Sequence, residues 1–148
     1  MKESEKVIVF TDGGSRNNPG PAAIGVVIKD VSGNIIKQYG EAIGIATNNE
    51  AEYRAVVSAF KKIKAMLGKE KCKKLEVEVN MDSELVVRQL TGKYKIENEK
   101  LSPFFLEIWN LKIDFGNIYF HHIPREQNKE ADLMVNEALD KSPSAQLF

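Results

Sequence analysis

The chain has 148 residues, of which 43% are hydrophobic and 28% are charged, a composition typical of a globular domain. Its 21 basic and 21 acidic residues balance, which excludes a general attraction to polyanions and leaves nucleic-acid binding to local charge placement. The sequence shows no signal peptide and no apolar run of membrane length. We expect a single cytoplasmic domain, monomeric and without membrane contact, with a core at residues 7–139 and tails at 1–6 and 140–148.

The first predicted element is an apolar, β-branched strand that begins at Val7 and ends in an acid, Asp12. Glycines and polar residues follow as far as residues 18–20, Asn-Pro-Gly, and predict a loop. A single acid at a strand end is usually a turn-former. Asp12 is a stronger candidate because three more acids occupy comparable positions at element ends: Glu52, Asp82 and Asp132.

Two further strands are predicted after this loop. Residues 22–28 and 35–45 are strand-like, and the turn signal at 30–34 lies between them. Short connections of this kind join antiparallel neighbours. The first three strands therefore predict an antiparallel meander.

A long helix follows the meander. Thr47 and Glu50 match a capping box, and the helix is predicted to end before Gly68. Glu52 heads the core-facing stripe of this helix, which continues with Val56, Ala59 and Ile63. Because acids are seldom buried without a charge partner or a metal ion, Glu52 is a candidate functional residue.

The lysine-rich segment 69–74 is predicted to be a solvated loop, and its Cys72 an incidental surface thiol without a redox or metal role. Residues 75–82 alternate between apolar and polar and predict a fourth strand. Two strands that are connected by a crossover helix pair in parallel, and the connection is right-handed. If the fourth strand lies beside the first, Asp82 and Asp12 end at the same sheet edge, where α/β sheets bind ligands.

The next segment alternates helices with loops. Residues 83–91 predict a short helix stopped by Gly92, and a basic, aromatic loop follows. Ser102 and the proline after it predict the cap and first turn of a helix that ends near Gly116. We expect Trp109 of this helix to pack in the core.

A fifth strand and a last helix complete the prediction. The strand covers residues 117–123, so His121 and His122 belong to the sheet rather than to a catalytic loop. Asn128 is predicted to cap the helix at 129–139, whose first turns contain Asp132. The element order predicts an α/β fold with a mixed five-stranded sheet flanked by helices.

Four carboxylates that converge at element ends cannot all be ionised at short range without positive charge between them. A set of oxygen ligands without cysteine or histidine spacing favours a hard ion, Mg²⁺ or Mn²⁺. Two such ions, roughly 4 Å apart, stabilise both the attacking and the leaving oxygen of a phosphoryl displacement. The residues therefore indicate hydrolysis of a phosphodiester.

These motifs resemble those of the type 1 ribonucleases H, in the family's order and over nearly the whole chain. The matching stretches are residues 11–15, 18–20, 47–52, 82–83 and 128–132. The resemblance implies the ribonuclease H fold and endonucleolytic cleavage of the RNA strand of RNA–DNA hybrids, with 5′-phosphate and 3′-hydroxyl ends. It also implies two Mg²⁺ ions, for which Mn²⁺ is a possible substitute. Asp12 would bridge both ions, Asp132 would complete the site that activates water, and Glu52 and Asp82 would hold the second ion.

The resemblance also implies substrate contacts. Glu52 and the backbone after Asp12, at Gly13, Gly14 and Ser15, would read the RNA 2′-hydroxyl. The family's minor-groove contacts are matched by Asn18, Asn48 and Asn49. Its ligand for a DNA phosphate at a helix N-terminus is matched by Thr47.

The chain departs from many relatives at three places. It has no room for a long basic handle, so substrate binding is expected to shift onto Lys93, Lys95 and Lys100. Glu84 stands where many relatives have a glutamine that contacts a base or sugar. Arg125 occupies the short loop before Asp132, and we hypothesise that it contacts the scissile phosphate or the metal-bound water.

Two other functions stay open at this level. One is a binding module for hybrids without catalytic activity, although such a module would be expected to lack one or more of the four acids. The other is a nuclease of the same fold that acts on double-stranded RNA or a DNA junction. Recognition by shape leaves room for activity on double-stranded RNA beside the hybrid.

Overall fold

The computed structural model describes residues 5–142. Five strands form one mixed sheet. They are β1 (Lys6–Ser15), β2 (Gly20–Lys29), β3 (Ile35–Ala46), β4 (Glu76–Met81) and β5 (Asn117–His122). The strand order is β3-β2-β1-β4-β5, with β1, β2 and β3 antiparallel and with β4 parallel to both β1 and β5. The predicted meander and the predicted parallel pairing of the first and fourth strands are confirmed.

Helices connect and cover these strands. They are α1 (Asn48–Leu67), α2 (Lys69–Cys72), α3 (Glu84–Leu90), α4 (Ser102–Lys112) and α5 (Lys129–Lys141). Two short 3₁₀ turns, Glu99–Leu101 and Arg125–Gln127, precede α4 and α5. Within residues 5–142 no helix combines the length and the apolar character that crossing a membrane requires.

The two faces of the sheet carry different helices. Ala22 of β2 packs with Ala51 of α1, whereas its neighbour Ala23 packs with Val135 and Leu139 of α5. Because side chains alternate along a strand, α1 and α5 lie on opposite faces. The main core is on the α1 face, where Phe60 lies 5.3 Å from Phe115 and 6.3 Å from Phe120 between ring centroids.

Close backbone approach sets the distance of both helices from the sheet. A Cβ atom on Gly13 would lie 2.2 Å from the carbonyl carbon of Ala51, so α1 rests directly on the end of β1. A Cβ atom on Gly40 would lie 2.1 Å from the carbonyl oxygen of Met134, so α5 rests on β3 in the same way. A residue with a side chain at either position would force the helix away from the sheet.

The start of α1 is capped as the sequence predicts. The Thr47 hydroxyl accepts a hydrogen bond from the Glu50 amide at 3.1 Å, and the Glu50 carboxylate accepts one from the hydroxyl at 3.2 Å. A second cap comes from the β1–β2 loop, where the Asn18 side-chain oxygen accepts a hydrogen bond from the Asn48 amide at 2.9 Å. The loop after the first strand is therefore held against the helix that contains Glu52.

Two expectations about burial are wrong. Cys72 is fully buried in the core rather than at the surface, because part of the segment predicted as a loop forms α2 and turns the thiol inward. Burial accordingly raises the pKa of the Cys72 thiol. Trp109 is 54% exposed instead of packing in the core, and it stacks on Phe105 at 6.3 Å on the outer side of α4.

Two predicted helix caps are also wrong. Asn128 occupies the N-cap position of α5 but makes no capping hydrogen bond: its Nδ2 donates to the Thr11 carbonyl, and its Oδ1, the atom that would cap, has no hydrogen-bond partner among residues 5–142. Ser102 is the first residue of α4 rather than its cap, and the 3₁₀ turn before it is capped by Asn98, which accepts from the Lys100 amide at 3.0 Å. This helix ends at Lys112, one turn before the predicted end.

The contact between Gly40 and α5 generates a stability prediction. Gly40→Ala is expected to lower the free energy of unfolding by about 2 kcal/mol, because the new methyl group overlaps the backbone of α5. Urea denaturation followed by circular dichroism measures the change. Gly14→Ala is the matched control, since its new Cβ would meet Val135 at 3.8 Å and Asn48 at 3.9 Å, both ordinary van der Waals contacts. Equal stability of the two variants would contradict the close packing of α5.

Candidate active site

Three acids from different elements converge at the carboxyl end of the central strands. Asp12 lies in β1, Glu52 in the first turns of α1, and Asp82 directly after β4. Each offers a carboxylate oxygen within 4.8 Å of the others. Asp132, in the first turn of α5, interacts with Asp12 and lines the same cleft. The structure thus brings together all four acids that the sequence singles out.

Burial makes this cluster electrostatically unfavourable. Asp12 is 7% and Glu52 8% exposed. Burial, reinforced by the charges of Asp82 and Asp132, raises the pKa of Asp12 to about 7. Burial and the charge of Asp12 raise the pKa of Glu52 well above its ordinary value. Hydrogen bonding to the Gly13 backbone lowers both pKa values, but it does not offset the repulsion.

A cation fits this arrangement. The Oε2 atom of Glu52 is buried and has no hydrogen-bond partner among residues 5–142. A buried carboxylate oxygen without a partner is costly, whereas a hard divalent ion would satisfy it and neutralise its neighbours. The oxygen-only donor set agrees with Mg²⁺ or Mn²⁺ rather than with a softer metal.

A hydrogen bond across the sheet positions the fourth acid. The Asn128 side-chain amide donates to the Thr11 carbonyl at 2.9 Å, and both residues are buried. The Asn128 carbonyl in turn accepts from the Asp132 amide at 3.1 Å. The start of α5 is thereby attached to β1 one residue before Asp12, which sets the distance between the two acids.

The four acids lie in an open cleft of about 520 Å³. Of the predicted substrate contacts, the cleft includes Gly13, Gly14, Ser15, Asn48, Asn49 and Arg125. Ser15 donates to the Asn48 side-chain oxygen through its amide at 2.9 Å and its hydroxyl at 3.2 Å. The loop after Asp12 and the start of α1 are therefore one continuous rim of the cleft.

Six of the predicted contacts are not among the residues that line this cleft: Asn18, Thr47, Glu84, Lys93, Lys95 and Lys100. Asn18 and Thr47 are behind the rim, where their side chains cap α1. Glu84 pairs with Arg88 at 2.8 Å and, with Lys93, lines a separate groove of about 230 Å³. The sequence analysis in turn missed several residues that do line the cleft: Arg16, Ser83, Val135, Asn136 and Leu139. For Asn136 the signal was available, since it lies one helical turn beyond Asp132.

Known proteins resemble this chain in sequence and in structure. A family model described as "Reverse transcriptase-like" matches residues 10–138. Ribonuclease HI of Halobacterium salinarum is 38% identical over 135 residues, which cover 91% of this chain and 65% of that protein. The crystal structure of LC11-RNase H1 in complex with an RNA/DNA hybrid is 48% identical, has a TM-score of 0.87, and matches over 91% of this chain and 97% of its own. The chain belongs to the type 1 ribonuclease H family.

A second relative supports this family membership. The bifunctional protein Rv2228c of Mycobacterium tuberculosis is 37% identical, and the match covers 91% of this chain but only 36% of that protein. The structure of its N-terminal RNase H domain has a TM-score of 0.86 at 35% identity and is covered to 99%. This ribonuclease H chain thus spans 65% and 36% of the lengths of the two curated relatives.

The repulsion between the acids predicts that Asp12→Asn stabilises the metal-free protein. Between about pH 4 and pH 7 the folded state retains a proton on Asp12 that the unfolded chain releases, so stability falls as the pH rises through this range. We expect the Tm of the variant to exceed that of the wild type by about 5 °C at about pH 8. The difference should vanish near pH 4.

Thermal melts in the presence of a chelator measure this difference. Added Mg²⁺ should stabilise the wild type more than the variant, because the variant has lost one of the ligands. If Asp12→Asn instead lowered the Tm at about pH 8, the mutual repulsion of the four acids would be disproved.

Proposed function

We propose that this ribonuclease H is an endonuclease that hydrolyses the RNA strand of RNA–DNA hybrids and leaves 5′-phosphate and 3′-hydroxyl ends. The observation that carries the proposal is the convergence of Asp12, Glu52 and Asp82 within 4.8 Å, with Asp132 beside them in an open cleft. The hybrid bound by LC11-RNase H1, at 48% identity, supports the substrate class.

The acids are suited to hold two Mg²⁺ ions, or Mn²⁺ in their place. Asp12 lies between the other acids and is the candidate for a shared ligand, since its pKa responds to both Asp82 and Asp132. When bound, two such ions supply charge stabilisation for the attacking and the leaving oxygen of an in-line displacement. The buried Glu52 oxygen without a partner supports a ligand role for this residue.

The cleft rim supports recognition of a duplex. Gly14 has no side chain on the side that faces the cleft residues Asn48 and Val135, so a ribose can approach its backbone closely, and Glu52 lines the same cleft. The 2′-hydroxyl both donates and accepts hydrogen bonds, which lets a carboxylate and a backbone amide distinguish RNA from DNA. Asn48 and Asn49 line the cleft beside this position as candidate contacts to base edges.

The N-terminus of α1 supports a phosphate contact at the far side of the rim. The helix dipole favours an anion there, while the Asn48 and Glu50 amides already donate to Asn18 and Thr47. The Thr47 hydroxyl donates to Glu50 in the protein described here, so a bond to phosphate would replace that hydrogen bond. Asn18 is better suited to hold the helix start than to touch a base, because its side-chain oxygen is committed to the Asn48 amide.

The presence of all four acids in one cleft argues against a binding module without catalytic activity. The second candidate is activity on double-stranded RNA beside hybrid cleavage, and no contact among residues 5–142 favours double-stranded RNA over the hybrid. Cleavage assays with each duplex distinguish the two activities.

The first prediction from this proposal concerns the substrate and the metal. We expect cleavage of a labelled RNA strand when it is paired with DNA, in Mg²⁺ or Mn²⁺ but not with a chelator. The same strand alone should stay intact, and the strand paired with RNA measures the additional activity. Asp82→Asn should lower the rate by about a thousandfold or more, because it removes a ligand that acts on the reacting phosphate.

The control is Glu70→Gln, which removes an acid with an 89% exposed side chain far from the cleft and should leave the rate unchanged. Retention of hybrid cleavage by Asp82→Asn would refute the assignment of the site. Binding of the hybrid without any cleavage by the wild type would favour the binding module.

A second prediction concerns Arg125, which lines the cleft in the loop before α5. A guanidinium there can bind the scissile phosphate or orient the attacking water. Arg125→Ala should lower kcat/KM by about tenfold to a hundredfold, and Arg125→Lys should recover part of the loss. Steady-state kinetics on the hybrid measure both. If Arg125→Ala kept its kcat and its KM, this role would be excluded.

A further inference from the structure

The cleft contains few cations for a site that binds a polyanion. Its lining includes four acids but only two basic residues, Arg16 and Arg125. Arg125 is close to the acids in sequence and has a proposed role, whereas the sequence analysis gave Arg16 none. Arg16 follows the last residue of β1, and its amide donates to the Pro21 carbonyl at 2.8 Å. The hairpin therefore holds the backbone of Arg16, and its side chain extends to the lining of the cleft.

The Arg16 guanidinium is paired with an acid on α5. Its Nη2 atom lies 2.5 Å from Oδ1 of Asp140. Asp132, Asn136 and Asp140 recur at intervals of four residues and share one face of this helix. Asp140 thus lies two turns, about 12 Å, beyond Asp132 along α5, next to Leu139, which lines the cleft. That separation corresponds to a few nucleotides along a duplex strand, so Arg16 is placed away from the scissile position.

The pair contributes little that the fold requires. The side chains of Arg16 and Asp140 are 45% and 67% exposed, and exposed ion pairs are weak. Asp140 also lies in the last turn of α5, where the helix dipole disfavours a negative charge. A guanidinium has five donors, and its planar geometry matches a phosphate as well as a carboxylate.

We propose that Arg16 binds a backbone phosphate of the RNA–DNA hybrid, and that Asp140 occupies its guanidinium in the free protein. Binding then exchanges a carboxylate for a phosphate, and Asp140 is a built-in competitor that lowers the affinity for the hybrid. This inference rests on the proposed function, because it names a further contact of the same cleft. It also assigns a functional role to a residue pair separated by 124 positions in the chain.

The test measures the Kd of a fluorescently labelled hybrid by anisotropy, with every protein in an Asp82→Asn background that blocks cleavage. Arg16→Gln should weaken binding about fivefold and reduce the slope of log Kd against log salt by about 0.9, since one phosphate contact is lost. Asp140→Asn should tighten binding about threefold, because the competing carboxylate is removed. In an Arg16→Gln background, Asp140→Asn should have no such effect.

Glu130→Gln is the matched control. Glu130 is another acid of α5 that pairs with a strand cation, Lys29 at 2.6 Å, and neither residue lines the cleft. The substitution removes the same charge from the same helix, so it reports the general electrostatic effect alone. Equal gains from Glu130→Gln and Asp140→Asn would overturn the exchange.

Three further outcomes distinguish a failure of the Arg16 inference from a failure of the proposed function. Weaker binding by Asp140→Asn would show that the acid positions Arg16 rather than competing for it, and would overturn the proposal. Unchanged binding by Arg16→Gln, while the protein without the background substitution cleaves the hybrid, would remove the inference and leave the proposed function intact. Failure of that protein to bind and cleave the hybrid would remove both.

Discussion

The repulsion between buried carboxylates is the constraint on which the rest of the structure depends. Asp12 and Glu52 are both largely buried. Burial and the charges of Asp82 and Asp132 raise the pKa of Asp12, and burial and the charges of Asp12 and Asp82 raise the pKa of Glu52. The fold holds them together because α1 rests on β1 at Gly13, where any side chain would collide with the helix backbone. The repulsion lowers the stability of the metal-free protein. A bound cation would restore that stability, because the same carboxylates would become its ligands.

The site draws residues from both faces of the sheet. α1 covers one face and α5 the other, and both approach the end of β1, α1 at Gly13 and α5 at Gly14. The hydrogen bond from Asn128 to the Thr11 carbonyl attaches α5 at this point, next to the strand residue that precedes Asp12. Because β4 is parallel to β1, Asp82 reaches the same edge without further support. The carboxyl end of the sheet is therefore where elements distant in sequence converge.

Because the whole chain has no net charge, its affinity for a nucleic acid depends on the placement of individual basic side chains. The cleft itself is acidic, so an incoming duplex meets repulsion unless cations neutralise the four carboxylates. The basic residues at its rim then decide how tightly the backbone is held. An arginine already paired with an acid, as Arg16 is with Asp140, makes such binding adjustable.

Sequence by itself determined the strands, the capped helix α1 and the four acids, because alternation, helical spacing and capping depend on neighbours in the chain. It placed Asp12 and Asp82 at one edge on the condition that β1 and β4 are neighbours, and the tertiary structure supplies that pairing. Only the tertiary structure decided that Cys72 is buried and Trp109 exposed, and that the Asn128 side chain bonds to a strand instead of capping its helix. Those outcomes depend on partners far away in the chain, which no local pattern specifies.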